Sequence, residues 1–444
     1  MRSICKHTKR VLLYSPCDDE GHFILKRWLG YVASGIILHS DLNAFYASAE
    51  INEHPELKGK KVAVCGSTEN RHGIVLTASY PAKRAGVKTG MANWQAKEVC
   101  RDLIVVEPHY DLYLHYSKLV RRIYHRYAND IEPFGMDENW LYIPGIDDVE
   151  CNGLEIAEEI RTSVKEEIGL TVSIGVSFSK IFAKLGSDMR KPDAVTVISR
   201  DNYRDKVWPL PVSDLLYVGP ATTRKLQRVN VNTIGDLARC DPEMLRYKLG
   251  KNGEMLWNFA NGTDYSKVMP TDFVAPIKSV GHGVTCVRDL ESNYEVWLVM
   301  YELCQDIGHR LIKYRLTVQG VQITVRNKDL DYEQYQAPLH FPTQSPLEIA
   351  QAAYTLFLFR YRWQKSVRAL TVRGIKTDSE NKPVQLDVFN NYKAREKRRA
   401  LDRVIDEIRR RFGYKAIFPA SLMLELHMAQ DRCETVPMPA PMYR

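Results

Sequence analysis

Asp41 closes a short apolar run, Gly35-Ile-Ile-Leu-His-Ser-Asp41, and Asp137-Glu138 stand together 96 residues further on, between two other short apolar stretches. Three carboxylates gathered at one place repel one another unless a cation sits among them. Hard oxygen ligands suit Mg²⁺, with Mn²⁺ as a substitute. Two such ions about 3.5–4 Å apart activate an attacking hydroxyl and stabilise the leaving oxygen of a phosphoryl transfer. Spacing alone does not decide the matter, because acids at loop tips are mostly solvated.

A second group carries positive charge. Tyr80 precedes Pro81, with Lys83 and Arg84 one helical turn on, so a phenol and two cations share a face. A triphosphate uses such a group through charge-assisted hydrogen bonds; a solvated basic face is the plainer alternative. Lys191 ends a helical stretch before Pro192, where a cation complements the helix dipole. Phe45 and Tyr46 follow Asp41 by four and five residues, and aromatics early in a helix are more often core than functional.

The elements that must position these groups follow from periodicity. Gly35–Asp41 reads as a strand, Ala44–Ile51 as a helix, Lys61–Cys65 and Gly73–Ala78 as strands, and Asp111–Tyr127 as a helix. Strands near Ile131–Phe134 and Trp140–Ile143 flank the acidic pair. Glu155–Ile168 reads as helix, Thr171–Val176 as strand and Ser179–Arg190 as helix. Strand, helix, strand, strand, helix, strand, with an insertion after the first helix, fits a ferredoxin-like core. Val207–Asp264 offers short helices and no strand candidates, and Pro270–Pro276 a linker. From Ile277 to about Thr377 a second β-α-β-β-α-β pattern follows, with helices near Tyr294–Tyr314 and Pro346–Trp363. A charged helix at Tyr392–Phe412 and a Pro/Met-rich tail end the chain.

Composition is compatible with this α+β reading. The 444 residues are 45% hydrophobic and 26% charged, as in globular chains, and allow two to four domains. The net charge of +8 permits a polyanionic partner without demanding one. No run approaches the ~18 apolar residues of a membrane span, so no membrane partner is expected. The nine cysteines are scattered, none at CxxC spacing, which favours a reducing cytoplasm over disulfides or zinc. Residues 1–34 carry no secretory signal and read as an extension of unassigned role.

Four motifs in order resemble those of the Y-family (translesion) DNA polymerases of DinB/UmuC type. Asp41-Leu-Asn-Ala-Phe-Tyr-Ala-Ser-Ala-Glu50 is similar to the first, nearest the UmuC/DNA polymerase V branch, and Gly135-Met-Asp-Glu-Asn-Trp140 to the third. Thr77-Ala-Ser-Tyr-Pro-Ala-Lys-Arg-Ala-Gly86 and the stretch Ser173–Pro192 resemble the nucleotide-binding and palm segments. The resemblance implies a right-handed polymerase: palm at 35–52 and 110–198, fingers at 53–109, helical thumb at 199–265, linker at 266–276 and little finger at 277–380. It further implies a bacterial, error-prone polymerase acting in damage tolerance and the SOS response. Asp41 and Asp137 would bridge two Mg²⁺ ions, Glu138 would hold the catalytic one, and the Leu42 carbonyl would complete the second site. Tyr80, Lys83 and Lys191, supported by Arg84, would bind the dNTP triphosphate. Tyr46, beside Phe45, would exclude a ribose 2′-hydroxyl. The usual Ser-Ile before the acidic pair is Gly135-Met136 here, which changes the support of the acids and not the acids.

Primer-template DNA is the implied partner. Leu215–Leu226 resembles a helix-hairpin-helix degraded at Pro220 and Ala221. In 277–377, cations such as Arg288, Arg326, Arg368 and Arg373 alternate with apolar residues, as a sheet face tracking a duplex backbone would require. Val384-Gln-Leu-Asp-Val-Phe-Asn390 resembles the peptide that binds the bacterial sliding clamp, with Gln385, Leu386 and Phe389 as anchors. Two rival readings are a nucleotidyl cyclase on a similar core and a non-catalytic DNA-binding accessory protein.

Overall fold

A computed structural model describes residues 35–68, 71, 73–145, 148–383 and 392–423. Residues 1–34 and the clamp-like peptide with Gln385, Leu386 and Phe389 lie outside the described residues.

The chain opens with β1 (Gly35–Leu42) and α1 (Phe45–Glu53). It then leaves the first layer to build β2 (Val62–Cys65), β3 (Val75–Ala78), α2 (Tyr80–Arg84), α3 (Asn93–Val99) and β4 (Ile104–Val106). These strands form a small sheet in the order β3-β2-β4 with its own core of Ala63, Cys65, Val75, Ala82, Val87 and Ala96. The insertion after the first helix is therefore a separate α/β unit; α3 and β4 were not foreseen.

The chain returns through α4 (Tyr110–Tyr124), β5 (Asp130–Pro133), β6 (Glu138–Pro144), α5 (Asn152–Ile168), β7 (Val172–Ser177), α6 (Lys180–Met189) and β8 (Val195–Ile198). The sheet order is β5-β6-β1-β7-β8. Its first four strands are antiparallel neighbours, with β8 added in parallel at the edge. That is the expected ferredoxin-like core plus one edge strand. Both faces of the central strands are covered: β7 is buried along its whole length and β1 from Ile36 on, although Ser173, Ser177, His39 and Ser40 interrupt their apolar residues.

α6 lies unusually close to the sheet. A Cβ at Gly175 would overlap the carbonyl of Ala183, so only glycine lets helix and strand approach this far. The helix is buried from Lys180 to Ser187, and Ser179 caps it by accepting from the Phe182 amide at 3.3 Å.

The next unit is helical: α7 (Tyr203–Val207), α8 (Pro220–Gln227), α9 (Ile234–Arg239), α10 (Pro242–Leu249) and α11 (Lys251–Ala260) surround Leu226, Ile234, Leu237, Leu245 and Leu256. Between α7 and α8 the chain forms only a 3₁₀ turn, Val212–Asp214, so the helix that would precede the Gly219 turn of a helix-hairpin-helix is reduced to a single turn. The linker is pinned to the β5 edge, where Thr271 Oγ1 donates to the Asn129 carbonyl at 2.6 Å and accepts from the Ile131 amide at 3.1 Å.

The last unit comprises β9 (Ser279–Leu290), α12 (Asn293–Lys313), β10 (Leu316–Asn327), β11 (Tyr332–Thr343), α13 (Pro346–Arg360) and β12 (Val367–Ser379). The element order is the expected one, but the strand order β11-β10-β12-β9 is not that of the first sheet, so the two units are not copies of one topology. α12 and α13 cover one sheet face around Val299, Leu303, Ile307, Ala353 and Phe357. α14 (Tyr392–Phe412) fastens to this unit by ion pairs from Arg395 to Glu348 at 3.5 Å and Arg403 to Glu380 at 2.9 Å. Of its apolar residues, Leu401, Val404 and Phe412 are exposed, while Ile405 and Ile408 are half-buried.

Candidate active site

The register of two neighbouring strands brings the acids together. Asp41, near the end of β1, pairs directly with Glu138, the first residue of β6. Asp137 sits one residue earlier, at the tip of the β5–β6 hairpin, where its carbonyl accepts from the Leu42 amide at 3.0 Å. Gly135 faces this tip; a Cβ there would lie 3.1 Å from Asp137 Oδ1, so the glycine leaves the carboxylate room that a serine would crowd. Met136 is buried, and its carbonyl accepts from Ser117 Oγ at 2.5 Å, which ties the tip to α4.

α6 supplies the counter-charge. Lys184 Nζ lies 3.0 Å from Glu138 Oε2, 3.5 Å from Asp41 Oδ2 and 3.0 Å from Asp188 Oδ2. Lys191 Nζ donates to Asp41 Oδ2 at 2.7 Å and lies 2.8 Å from Asp188 Oδ1. Burial alone would lower the pKa of Lys191, but the charge of Asp41 and its bonds to Asp188 and Asp41 hold it above its ordinary value. Lys184 and Asp188 were missed in the sequence. Their spacing to Lys191, i, i+4 and i+7, was the available signal, since such residues share a helix face.

Asp137 is pushed up to about 7, by burial first and then by the like charges of Asp41 and Glu138. For Glu138 burial acts upward too, yet His39 and Lys184 outweigh it and hold the carboxyl at about 2. His39 is fully buried behind it, with Nε2 3.3 Å from Glu138 Oε2 and Nδ1 2.8 Å from Ser187 Oγ. One site thus holds two carboxyls driven in opposite directions, a mark of functional placement.

The metal set fits on its donor chemistry. Among the described residues no three acidic, His or Cys side chains already form a ligating cluster; lysine ammonium groups stand among the carboxylates instead. Mg²⁺ is commonly held by one or two carboxylates together with substrate phosphates. Asp41, Asp137 and Glu138 offer such carboxylates, side by side at the end of β1 and the start of β6.

The nucleotide-binding candidates gather beside the acids. Tyr80 is half-buried and its phenol pKa is raised by burial, while Lys83, with Nζ 4.9 Å from the Tyr80 ring centre, is lowered by burial and by the nearby Lys191 charge. Tyr80, Lys83 and Lys191 therefore face one space. Arg84 is exposed at the end of α2. Asn43 bridges the layers: its Nδ2 donates to Ser173 Oγ at 2.9 Å and its Oδ1 accepts from the Asp193 amide at 2.8 Å. Ala44 then takes a left-handed conformation, φ 48° and ψ 45°, to turn the chain into α1. A non-glycine there is strained, as residues at functional sites often are.

The structure separates the two aromatics. Phe45 is 3% exposed and belongs to the core, whereas Tyr46 is half-buried and stacks flat on Tyr113 at 4.2 Å and 9°. The Phe45 ring thus packs in the core, 5.5 Å from that of Tyr46.

Comparison with known proteins gives concordant matches. The description "impB/mucB/samB family" fits residues 40–188, its C-terminal domain residues 277–388, and "DNA polymerase-iota, thumb domain" residues 213–264. DNA polymerase IV of Acetivibrio thermocellus is 47% identical over 382 residues, covering 86% of this chain and 96% of that protein. DNA polymerase IV 1 of Bacillus subtilis is 35% identical over 386 residues, covering 86% and 92%. A solved structure described as a Y-family DNA polymerase chimera superposes with a TM-score of 0.67 at 22% identity, covering 78% of this chain and 99% of the chimera.

Proposed function

Because this chain belongs to the impB/mucB/samB family of Y-family DNA polymerases, we propose that it extends a DNA primer on a template, including across damaged bases, by joining dNTPs to the primer 3′-hydroxyl with release of pyrophosphate. The relatives compared above are named DNA polymerase IV, which favours a DinB-type enzyme; the likeness to the UmuC branch is confined to the first motif.

The observation that carries the proposal is the strand register. Asp41 and Glu138 stand opposite each other, Asp137 adjoins them, and lysines already occupy the space between. In this reading Asp41, Asp137, Glu138 and the Leu42 carbonyl hold two Mg²⁺ ions, or Mn²⁺. Such ions would polarise the 3′-hydroxyl and balance the charge on the leaving oxygens. Tyr80, Lys83, Arg84 and Lys191 bind the triphosphate, and Lys191 leaves Asp41 to do so. Tyr46 lies flat beneath the sugar and leaves no room for a 2′-hydroxyl, a steric form of discrimination. The peptide 384–390 tethers the enzyme to a sliding clamp.

The test is primer extension. The purified protein should lengthen a labelled primer on a template with dNTPs and Mg²⁺, and EDTA should stop it. Stimulation by a loaded clamp should vanish in the double variant Leu386→Ala/Phe389→Ala. A cyclic product from nucleotide alone, without DNA, would favour the cyclase reading; DNA binding without extension would favour the accessory-protein reading.

A further inference from the structure

α1 and α4 are joined by a buried polar lock behind Tyr46. Glu50, 1% exposed, accepts from the Tyr113 hydroxyl at 2.5 Å, and His109 Nδ1 lies 2.9 Å from the same oxygen. The Tyr113 oxygen in turn accepts from the His109 amide at 3.1 Å. Its one proton and one lone pair are thereby directed, and the ring, fully buried, has little freedom to tilt. Tyr46 lies parallel to this ring at 4.2 Å, and Tyr110 meets both edge-on, at 6.1 Å from Tyr46 and 5.9 Å from Tyr113.

Flat stacking on a fixed ring decides how far Tyr46 can recede. A tyrosine has two soft side-chain torsions, and α1 alone leaves it room to turn. With Tyr113 held by Glu50 the rearward direction is closed at van der Waals distance. Glu50 and Tyr113 have no place among the acids or cations of the site, and burial of a carboxylate is costly unless it is hydrogen-bonded. Fixing the depth of the Tyr46 ring gives that buried pair a purpose in the reaction.

We propose that Tyr113, locked by Glu50, is the positioning residue that sets sugar selectivity by backing Tyr46. This rests on the reading of Tyr46 as the residue that excludes the 2′-hydroxyl. Tyr113 touches no substrate; it acts through Tyr46, so its effect must disappear when Tyr46 is truncated.

The experiment measures kcat/KM for one dNTP and its matching rNTP in four proteins: wild type, Tyr46→Ala, Tyr113→Leu and the double variant. Tyr113→Leu should lower the dNTP preference roughly tenfold, a coupling expected of residues in direct contact. The double variant should be no less selective than Tyr46→Ala alone. Tyr113→Phe, which keeps the ring, should retain most of the preference, and dNTP incorporation by each variant confirms that it folds. If Tyr46→Ala lowers the preference but Tyr113→Leu does not, the inference fails and Tyr113 is only core. It fails equally if the two effects multiply, since Tyr113 then acts independently. If Tyr46→Ala itself leaves the ratio unmoved, the reading of Tyr46 is what has failed.

Discussion

At the scale of single residues, the acids are where electrostatics can be tested without substrate. The Asp137 carboxyl is pushed up to about 7, well above an ordinary aspartate, because burial and two like charges oppose its ionisation. An acid whose folded pKa lies above its unfolded one weakens the fold as pH rises from the usual carboxylate range through that folded value. Without divalent ions, wild type should therefore lose stability relative to Asp137→Asn between about pH 4 and pH 7. Thermal melts of both proteins in EDTA across that range check this, and parallel curves would contradict it. Mg²⁺ should raise the wild-type melting temperature more above pH 7 than below it, since a cation binds the ionised form. The three acids were singled out in the sequence through the motifs that carry the family resemblance, since spacing alone did not distinguish them from solvated acids. His39, Lys184 and Asp188 were not. A histidine within a strand and charged residues on a helix are expected to be solvated, and only the packed fold shows His39 and Lys184 nearly excluded from water.

At the scale of elements, α6 is the piece on which the site turns. It brings Lys184, Asp188 and Lys191 to the acids only because Gly175 lets it rest on β7. Gly175→Ala should push the helix outward, at a cost of about 1–3 kcal/mol typical of overpacking, and displace both lysines. Extension should fall steeply, with a raised KM for dNTP, while DNA affinity changes little. Unaltered kinetics would show that the approach of α6 is not what sets the site. Helices and strands with strong periodicity were readable: the structure gives α4 at Tyr110–Tyr124 against an expected 111–127, and β6 at Glu138–Pro144 against 140–143. The missed elements are short. α3 has seven residues and β4 three, too few for periodicity to emerge. β8 is a four-residue edge strand, whose parallel pairing with β7 is decided by contacts remote in sequence.

At the scale of the whole molecule, three α/β units and a helical unit must come together around one duplex. The second sheet leaves an open face on which Arg326, Gln322, Thr324 and Arg373 project beside Gly281 and Gly283, polar enough to meet phosphates and small enough to admit a backbone. Two other basic side chains of this unit do not join that face. Arg310 lies on α12, where it is bound to Asp306 and the Gly281 carbonyl, and His282 lies 3.0 Å from Asp306 on the covered side. Arg71 Nη1 meets Asp289 Oδ1 at 2.6 Å and so joins the insertion to the last unit directly. Strand orders were beyond the sequence, because the same β-α-β-β-α-β succession yields β5-β6-β1-β7 in one sheet and β11-β10-β12-β9 in the other.

The central claim is that Asp41, Asp137 and Glu138 form a metal-dependent centre for nucleotidyl transfer, and the most direct measurement is single-turnover incorporation by Glu138→Ala and Asp41→Ala on primer-template. Preorganised charge supplies much of such a rate. Each variant should incorporate at least ~100-fold more slowly than wild type at saturating Mg²⁺ and dNTP, the scale of losing one such stabilising group, while primer-template affinity stays within a few-fold. Incorporation by either variant at a rate near that of wild type would contradict the account.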